Sequence, residues 1–363
     1  MSRKTLPNPN LLPALQRQQV SFDHEIGHPA AVSKANRLNV LKVLARFKQA
    51  RALDIAAALF PDRGYKAALS ATQRTLQRLR VDKHVTRYLS DSRRVFYALT
   101  AKGARLLRDA ASDGSGDGAA QASASRACEK TNPEHALWSA FATIASEARG
   151  LRAWTETELK PRFLRKARGS RLPTRTFPCV YQSGKTKKGL MPDALAVSDN
   201  SVDFGAVWFE IDRSARGSVR LEDLRQLVMG LGNTISIGSG ESRTLRKVVV
   251  LCKTRNILRR NRTHLTGRPS GGNLRLRLAS DPERPSLVER EGEPGIFDFY
   301  RDDIYQPQVV GQLHLQLLPT HLPSYGYSDV PPHGWFNDGS LPYQEPDAAW
   351  PEPVGLERWI ARR

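Results

Sequence analysis

Cysteine is scarce in this chain. There are three, Cys128, Cys179 and Cys252, an odd number set far apart with no CxxC pair, which excludes a disulfide framework and a zinc knuckle and suits a reducing cytoplasm. Long apolar runs are missing as well: nothing approaches the roughly 18 residues that a membrane-spanning helix needs, and no hydrophobic segment follows the basic start. The expectation is a soluble, unprocessed, cytoplasmic protein with no membrane insertion. Acids are outnumbered, 36 Asp and Glu against 56 Lys and Arg, for a formal charge of +20. Such an excess attracts polyanions at long range and makes nucleic acid the leading partner.

Several motifs fail on inspection. "HEIGH", His24 to His28, has the spacing by which a helix offers two histidines to zinc, but Gly27 lies inside it and Pro29 follows at once, so His28 leaves helical geometry. "SGKT", Ser183 to Thr186, has Cys179 where a phosphate loop needs its first glycine, and no helical pattern follows. Neither zinc nor a nucleotide cofactor is expected. No two histidines are spaced His-x-His, so the metal site of the common tyrosine relaxases has no counterpart, and none of the nine tyrosines stands out as a nucleophile.

What is present divides along the chain. The 363 residues, 40% hydrophobic, suffice for two compact domains. Residues 1–34 are polar with scattered prolines and read as an arm. Residues 111–127, "ASDGSGDGAAQASASRA", hold no apolar side chain larger than alanine, and 111–130 reads as a flexible linker. Beyond 322 the chain reads as a tail to 363, rich in aromatics and with seven prolines between 322 and 354. That leaves domains over 35–110 and 131–321, an α/β multidomain architecture.

Within 35–110 the periodicity predicts three helices, a hairpin and a fourth helix, the order of a winged helix-turn-helix. Leu38, Leu41, Leu44 and Phe47 stripe the first helix, "ALDIAAALF" makes the second, and Ser70 to Asp82 the third. "HVTRYLSDSRRVFYALT" then alternates about "SDS", and Thr100 is placed to cap the helix that follows. On the third helix Leu69, Leu76 and Leu79 share one face and Ser70, Arg74, Gln77 and Arg78 the other. That polar face suits major-groove reading, with Arg87, Arg93 and Arg94 of the hairpin on flanking phosphates. The competing reading is a solvated charged face.

The second domain opens with a helix striped by Leu137, Phe141 and Ile144. "GLMPDALAVSDNSVDFGAVWFEIDRS" then reads as a hairpin around "SDNS". Alternation places Val207, Phe209 and Ile211 on one face and Trp208, Glu210 and Asp212 on the other, and the hairpin brings Asp193 towards the two acids. Three carboxylates repel and resist burial unless a cation compensates, and a hard divalent ion such as Mg²⁺ or Mn²⁺ does so with oxygen ligands. Alternatively Asp212 pairs with Arg213 or another arginine while Glu210 sits exposed at the strand end. A helix striped by Leu221, Leu224, Leu227, Val228 and Leu231, the strand "KVVVLCKT" and another basic helix follow.

"PDA" at 192–194, "FEIDR" at 209–213 and the helix after them resemble the PD-(D/E)xK restriction-endonuclease-like superfamily. With a winged helix in front, residues 35–255 resemble the replication-relaxation family and the related MOBC-class plasmid relaxases. The resemblance implies Asp193 and Glu210 as metal ligands, with Asp212 in the third motif position, where the superfamily usually has a lysine. An acid there matches the MOBC-class pattern. A basic residue of the next helix, Arg220 or Arg225, is a candidate to supply the missing charge, while Lys185, Lys187 and Lys188 are placed to guide a phosphate backbone.

The expected function is metal-dependent nicking of DNA, with water as nucleophile, in mobilisation or replication of a plasmid or other mobile element, alongside other transfer or replication proteins. The alternatives are a non-catalytic DNA-binding regulator or accessory transfer protein, favoured by the missing lysine, and a double-strand endonuclease acting as a dimer.

Overall fold

The structure is a computed structural model. It describes residues 29–60, 65–90, 94–112, 133–148, 151–165, 174–198, 205–213, 217–238, 240–266, 286–303 and 306–318. "HEIGH", Arg93, most of the expected linker and the tail from 322 lie outside the described residues.

The first unit runs α1 (Pro29–Phe47), β1 (Gln49–Ala50), α2 (Ala52–Leu59), α3 (Tyr65–Val81), β2 (Val85–Leu89), β3 (Val95–Leu99) and α4 (Ala101–Ser112), with the three strands paired in the order β1-β3-β2. The expected helices and hairpin are all there. α1 reaches back to Pro29, into the segment read as an arm, because proline is well suited to a first helical position whose N–H would be unused. α3 starts at Tyr65, ahead of the expected Ser70. The short β1 has no signal in sequence; it exists only because β3 offers Ala98 and Tyr97 as partners.

Side chains fix the joints of this unit. Arg51 and Asp54 form a buried pair at the start of α2: Oδ2 of Asp54 accepts from the Arg51 backbone N–H at 3.0 Å and from Nε at 2.9 Å, and Oδ1 accepts from Nη2 at 2.6 Å. α3 ends in a double backbone bond, His84 N–H to Leu79 O and Lys83 N–H to Arg80 O, with Lys83 at φ 59°. This is the helix-ending motif usually completed by glycine. Thr100 caps α4 as expected, its hydroxyl accepting the Gly103 N–H at 3.1 Å. Gly103 is required there, since a Cβ would lie 2.1 Å from the His84 carbonyl oxygen.

The second unit comprises α5 (Pro133–Ala148), β4 (Arg152–Thr155), α6 (Glu156–Arg162), β5 (Leu164–Arg165), β6 (Thr174–Arg175), β7 (Cys179–Ser183), β8 (Thr186–Leu190), β9 (Ala194–Val197), β10 (Ala206–Asp212), α7 (Ser218–Met229), β11 (Thr234–Gly238), β12 (Glu241–Cys252), α8 (Arg255–Thr266), β13 (Leu287–Glu289), β14 (Ile296–Arg301) and β15 (Gln308–Leu317). The main sheet has the order β13-β14-β15-β12-β10-β9-β4, with β11 on the early half of β12. β10, β12 and β15 are parallel to one another and the other pairings are antiparallel. The whole is mixed α/β. Among the described residues no helix is long and apolar enough to cross a membrane.

Both faces of the sheet are covered. Val207, Phe209, Ile211, Val249 and Leu251 pack on one side with α5 and with the helices of the first unit in a single apolar cluster. Trp208, Val248 and Val250 pack on the other with Leu224, Leu227 and Val228 of α7 and Ile257 and Leu265 of α8. The predicted alternation of β10 is therefore what separates two cores. The two units of the chain also share one of those cores, and Arg46 of α1 clamps them. Its guanidinium donates to Glu147 of α5 (3.0 Å from Nη1), to Glu158 of α6 (2.6 Å from Nε) and to the Ala153 carbonyl of β4 (3.1 Å). Burial disfavours the Arg46 charge, but the two carboxylates outweigh that and raise its pKa, so it stays cationic.

Candidate functional site

β4, β10 and β12 run the same way and β9 runs against them, so the ends of the first three and the start of β9 meet at one edge of the sheet. Parallel sheets present ligand sites at the carboxyl ends of their strands. Asp193 stands at this edge, one residue ahead of β9. Its N–H donates to the Phe209 carbonyl at 3.1 Å, and its Oδ2 accepts the Ile211 N–H at 2.7 Å. Since Ala194 pairs with Phe209, continuing the antiparallel register sets Asp193 opposite Glu210. The hairpin thus does bring these two acids to the same place.

Glu210 is half-buried, and its Oε1 accepts the Trp208 indole N–H at 2.8 Å, the i, i+2 neighbour on its own face. Asp212 has a different setting. It is 4% exposed, and its Oδ2 accepts from the Asn261 amide of α8 at 2.8 Å. Asn261 also lies 3.5 Å from the Cys252 sulfur. Arg213, weighed in sequence as a partner for Asp212, pairs with Glu134 of α5. Among the described residues no group of three or more His, Cys, Asp or Glu side chains is gathered so as to hold a metal ion.

The residue that sequence reasoning missed is His135. The first turn of α5 places its Nε2 3.2 Å from Asp193 Oδ2. Burial lowers its pKa, but the hydrogen bond and charge of Asp193, with the charges of Glu210 and Glu156, prevail and leave it above the ordinary histidine value. Nothing local marks it, because it lies off the Leu137, Phe141 and Ile144 stripe; only the docking of α5 on the sheet brings it to the strand end. Asp193 Oδ2 is therefore shared by two donors, while Oδ1 has no hydrogen-bond partner among the described residues.

The expected DNA-facing residues fall on three surfaces. Ser70, Arg74, Gln77 and Arg78 of α3 are all exposed and opposite the buried Leu76 and Leu79. Arg74 reaches back to the Ser70 carbonyl and Arg78 donates to Ser33 of α1 at 2.9 Å. Arg87 on β2 is exposed; Arg94 is half-buried at the hairpin end, its N–H on Ser90 Oγ. Lys185 and Lys187 are exposed and Lys188 half-buried on the β7–β8 hairpin, where "SGKT" forms the tight turn with Gly184 at φ 59° and no helix behind it. On α7 Arg220 is exposed in the first turn, and Arg225 is engaged with Glu222 at 3.2 Å.

Two carboxylates, one with an oxygen not yet hydrogen-bonded, fit a hard divalent cation, which commonly takes one or two protein carboxylates and completes its octahedron with water. Asp212, turned to Asn261, fits a structural role better.

Comparison with curated proteins and with solved structures gave no match. A family model described as replication-relaxation matches residues 41–226. That span is just over half of the chain, runs from α1 into α7, and takes in Asp193, Glu210 and Asp212. The chain belongs to the replication-relaxation family.

Proposed function

We propose that the protein binds DNA through a winged-helix unit and nicks one strand in a divalent-metal-dependent reaction, in the replication or transfer of a plasmid or other mobile element. The family supports the broad role. The observation that carries the finer reading is the seating of Asp193 against Glu210 at the open edge of a sheet whose neighbouring unit offers a polar, arginine-bearing helix face.

In this reading the unit from α1 to β3 is the winged helix, α3 enters the major groove and the β2–β3 hairpin lies on flanking phosphate. Asp193 and Glu210 hold Mg²⁺ or Mn²⁺. When bound, the metal supplies charge neutralisation at the phosphodiester and a water of lowered pKa. The Ile211 N–H fixes the rotamer of Asp193, and the Trp208 indole fixes Glu210, so both carboxylates are held before substrate arrives. His135 places its imidazole on the same carboxylate and positions it. Asp212 anchors α8.

A second reading is a non-catalytic DNA-binding regulator. The burial of Asp212 against Asn261 favours it, since the position at which the wider superfamily carries a lysine is committed to the fold. One assay separates the two: supercoiled plasmid carrying the DNA around the protein's own gene, with Mg²⁺ or Mn²⁺, beside Asp193→Asn and Glu210→Gln. Open circles from the wild type alone support the nicking reading. Equal DNA binding by all three proteins with no open circles supports the regulator.

A further inference from the structure

α8 carries a basic face that neither the family nor the sites above account for. Its sequence, RNILRRNRTHLT, has no acid. Ile257, Asn261 and Leu265 form its buried side, and Arg255, Arg259 and Arg260 are exposed on the other, with Lys253 exposed just ahead. The side chains of these four make no hydrogen bond or ion pair among the described residues, whereas Arg262 is engaged with Glu289. Arg255 and Arg259 stand one turn apart, about 6 Å along the axis at 1.5 Å per residue. Like charges at that spacing repel within a helix, and a polyanion laid along the face relieves the repulsion.

The place of this face is as telling as its charge. Asn261, on the buried side of α8, holds Asp212 at the end of β10, and the Lys253 N–H donates to the Asp212 carbonyl at 2.9 Å. The arginine row therefore starts at the sheet edge that holds Asp193 and Glu210. α8 packs with Trp208 and α7, on the opposite sheet face from α5 and the unit containing α3. A DNA held by α3 alone has no reason to meet it; one that passes the acid-bearing edge does.

We infer that the arginine face of α8 is a second DNA-backbone contact, which grips duplex beyond the candidate site on the side of the sheet away from α3. The inference rests on the DNA-binding reading above. Arginine and lysine neutralise phosphate without reading sequence. The exposed face has no aromatic side chain on which an unpaired base could stack, so duplex rather than single strand is its occupant.

The test uses the full chain, a mixed-sequence duplex and the matching single strand, with binding measured across a salt series. Arg255→Glu/Arg259→Glu/Arg260→Glu weakens duplex binding at least about tenfold near physiological salt and lowers the log K against log salt slope by roughly 2 to 3, at about 0.9 for each phosphate no longer neutralised. The triple Gln variant moves the same way by less and melts like the wild type. An α8 variant that binds duplex with unchanged affinity and slope, while Arg74→Glu/Arg78→Glu on α3 loses it, overturns the inference and leaves the DNA reading standing. Loss confined to the single strand overturns the duplex assignment. A wild type with no salt-dependent DNA binding removes both the inference and the reading it rests on.

Discussion

The side-chain amide of Asn261 donates a 2.8 Å hydrogen bond to Asp212 Oδ2, and both residues are buried. It ties the middle of α8 to the last residue of β10. Hydrogen bonds to a charged acceptor contribute about 1.5–3 kcal/mol. Asn261→Leu is expected to lose about that much in urea unfolding. Asp212→Asn, which keeps an acceptor and sheds the charge, loses less than Asp212→Ala.

Divalent metal is expected to act on stability as well as on reaction. A ligand present at about a hundred times its Kd stabilises the native state by roughly 2.7 kcal/mol. Thermal scans with Mg²⁺ or Mn²⁺ after chelation raise Tm for the wild type and for Asn261→Ala. They leave Asp193→Asn and Glu210→Gln where they were. A metal-dependent rise that survives both substitutions moves the cation away from this pair.

The pH dependence of the chelated protein follows from His135. Its pKa is raised in the folded state, so folding takes up proton as the histidine charges. The stabilisation is complete below the unfolded value of about 6.5 and disappears as pH rises through the folded value. Urea midpoints measured from pH 5.5 to 8.5 therefore decline more steeply for the wild type than for His135→Gln. A wild-type profile parallel to that of the variant removes His135 from the account.

Arg46 joins the two units, and its removal leaves Glu147, 4% exposed, without its cation. Breaking a buried ion pair from one side typically costs 3–5 kcal/mol, so Arg46→Met is expected to fall by about that much. Because the core is shared, tryptophan fluorescence from the sheet and circular dichroism from the helices move together in the wild type. Two separated transitions in the wild type contradict the shared core.

Lys83 offers a gain. A left-handed residue that is not glycine costs roughly 1–2 kcal/mol in backbone strain, part of which glycine returns as chain entropy. Lys83→Gly is expected to stabilise by about 0.5–1 kcal/mol, with no change in DNA binding, since Thr100 uses only the Lys83 carbonyl.

Much of the fold was legible because local pattern and tertiary role agreed. The period-2 run of β10, the cap at Thr100 and the polar face of α3 follow from side-chain spacing and are where the pattern put them, and the stripe of α7 is there from Leu221 to Val228, with Leu231 beyond the helix end at Met229. What was not legible depends on partners distant in sequence. β1 is two residues long and owes its existence to β3. β12 starts at Glu241, ahead of the expected Lys247, because β11 folds onto its first half. In the candidate site the meeting of Asp193 with Glu210 could be read from the hairpin. The diversion of Asp212 to Asn261, 49 residues on, and the arrival of His135 could not, since both are consequences of how α8 and α5 dock.

The apolar cluster common to α1, α2 and α5, closed by the Arg46 clamp, means that the peptide between α4 and α5 is not what keeps the halves of this protein together. Chains opened anywhere from 113 to 132 and expressed as two pieces should find each other as the subunits of a heterodimer do. Lengthening that stretch should leave the distance from α3 to Asp193 as it was, like a ruler whose markings are set by packing rather than by thread.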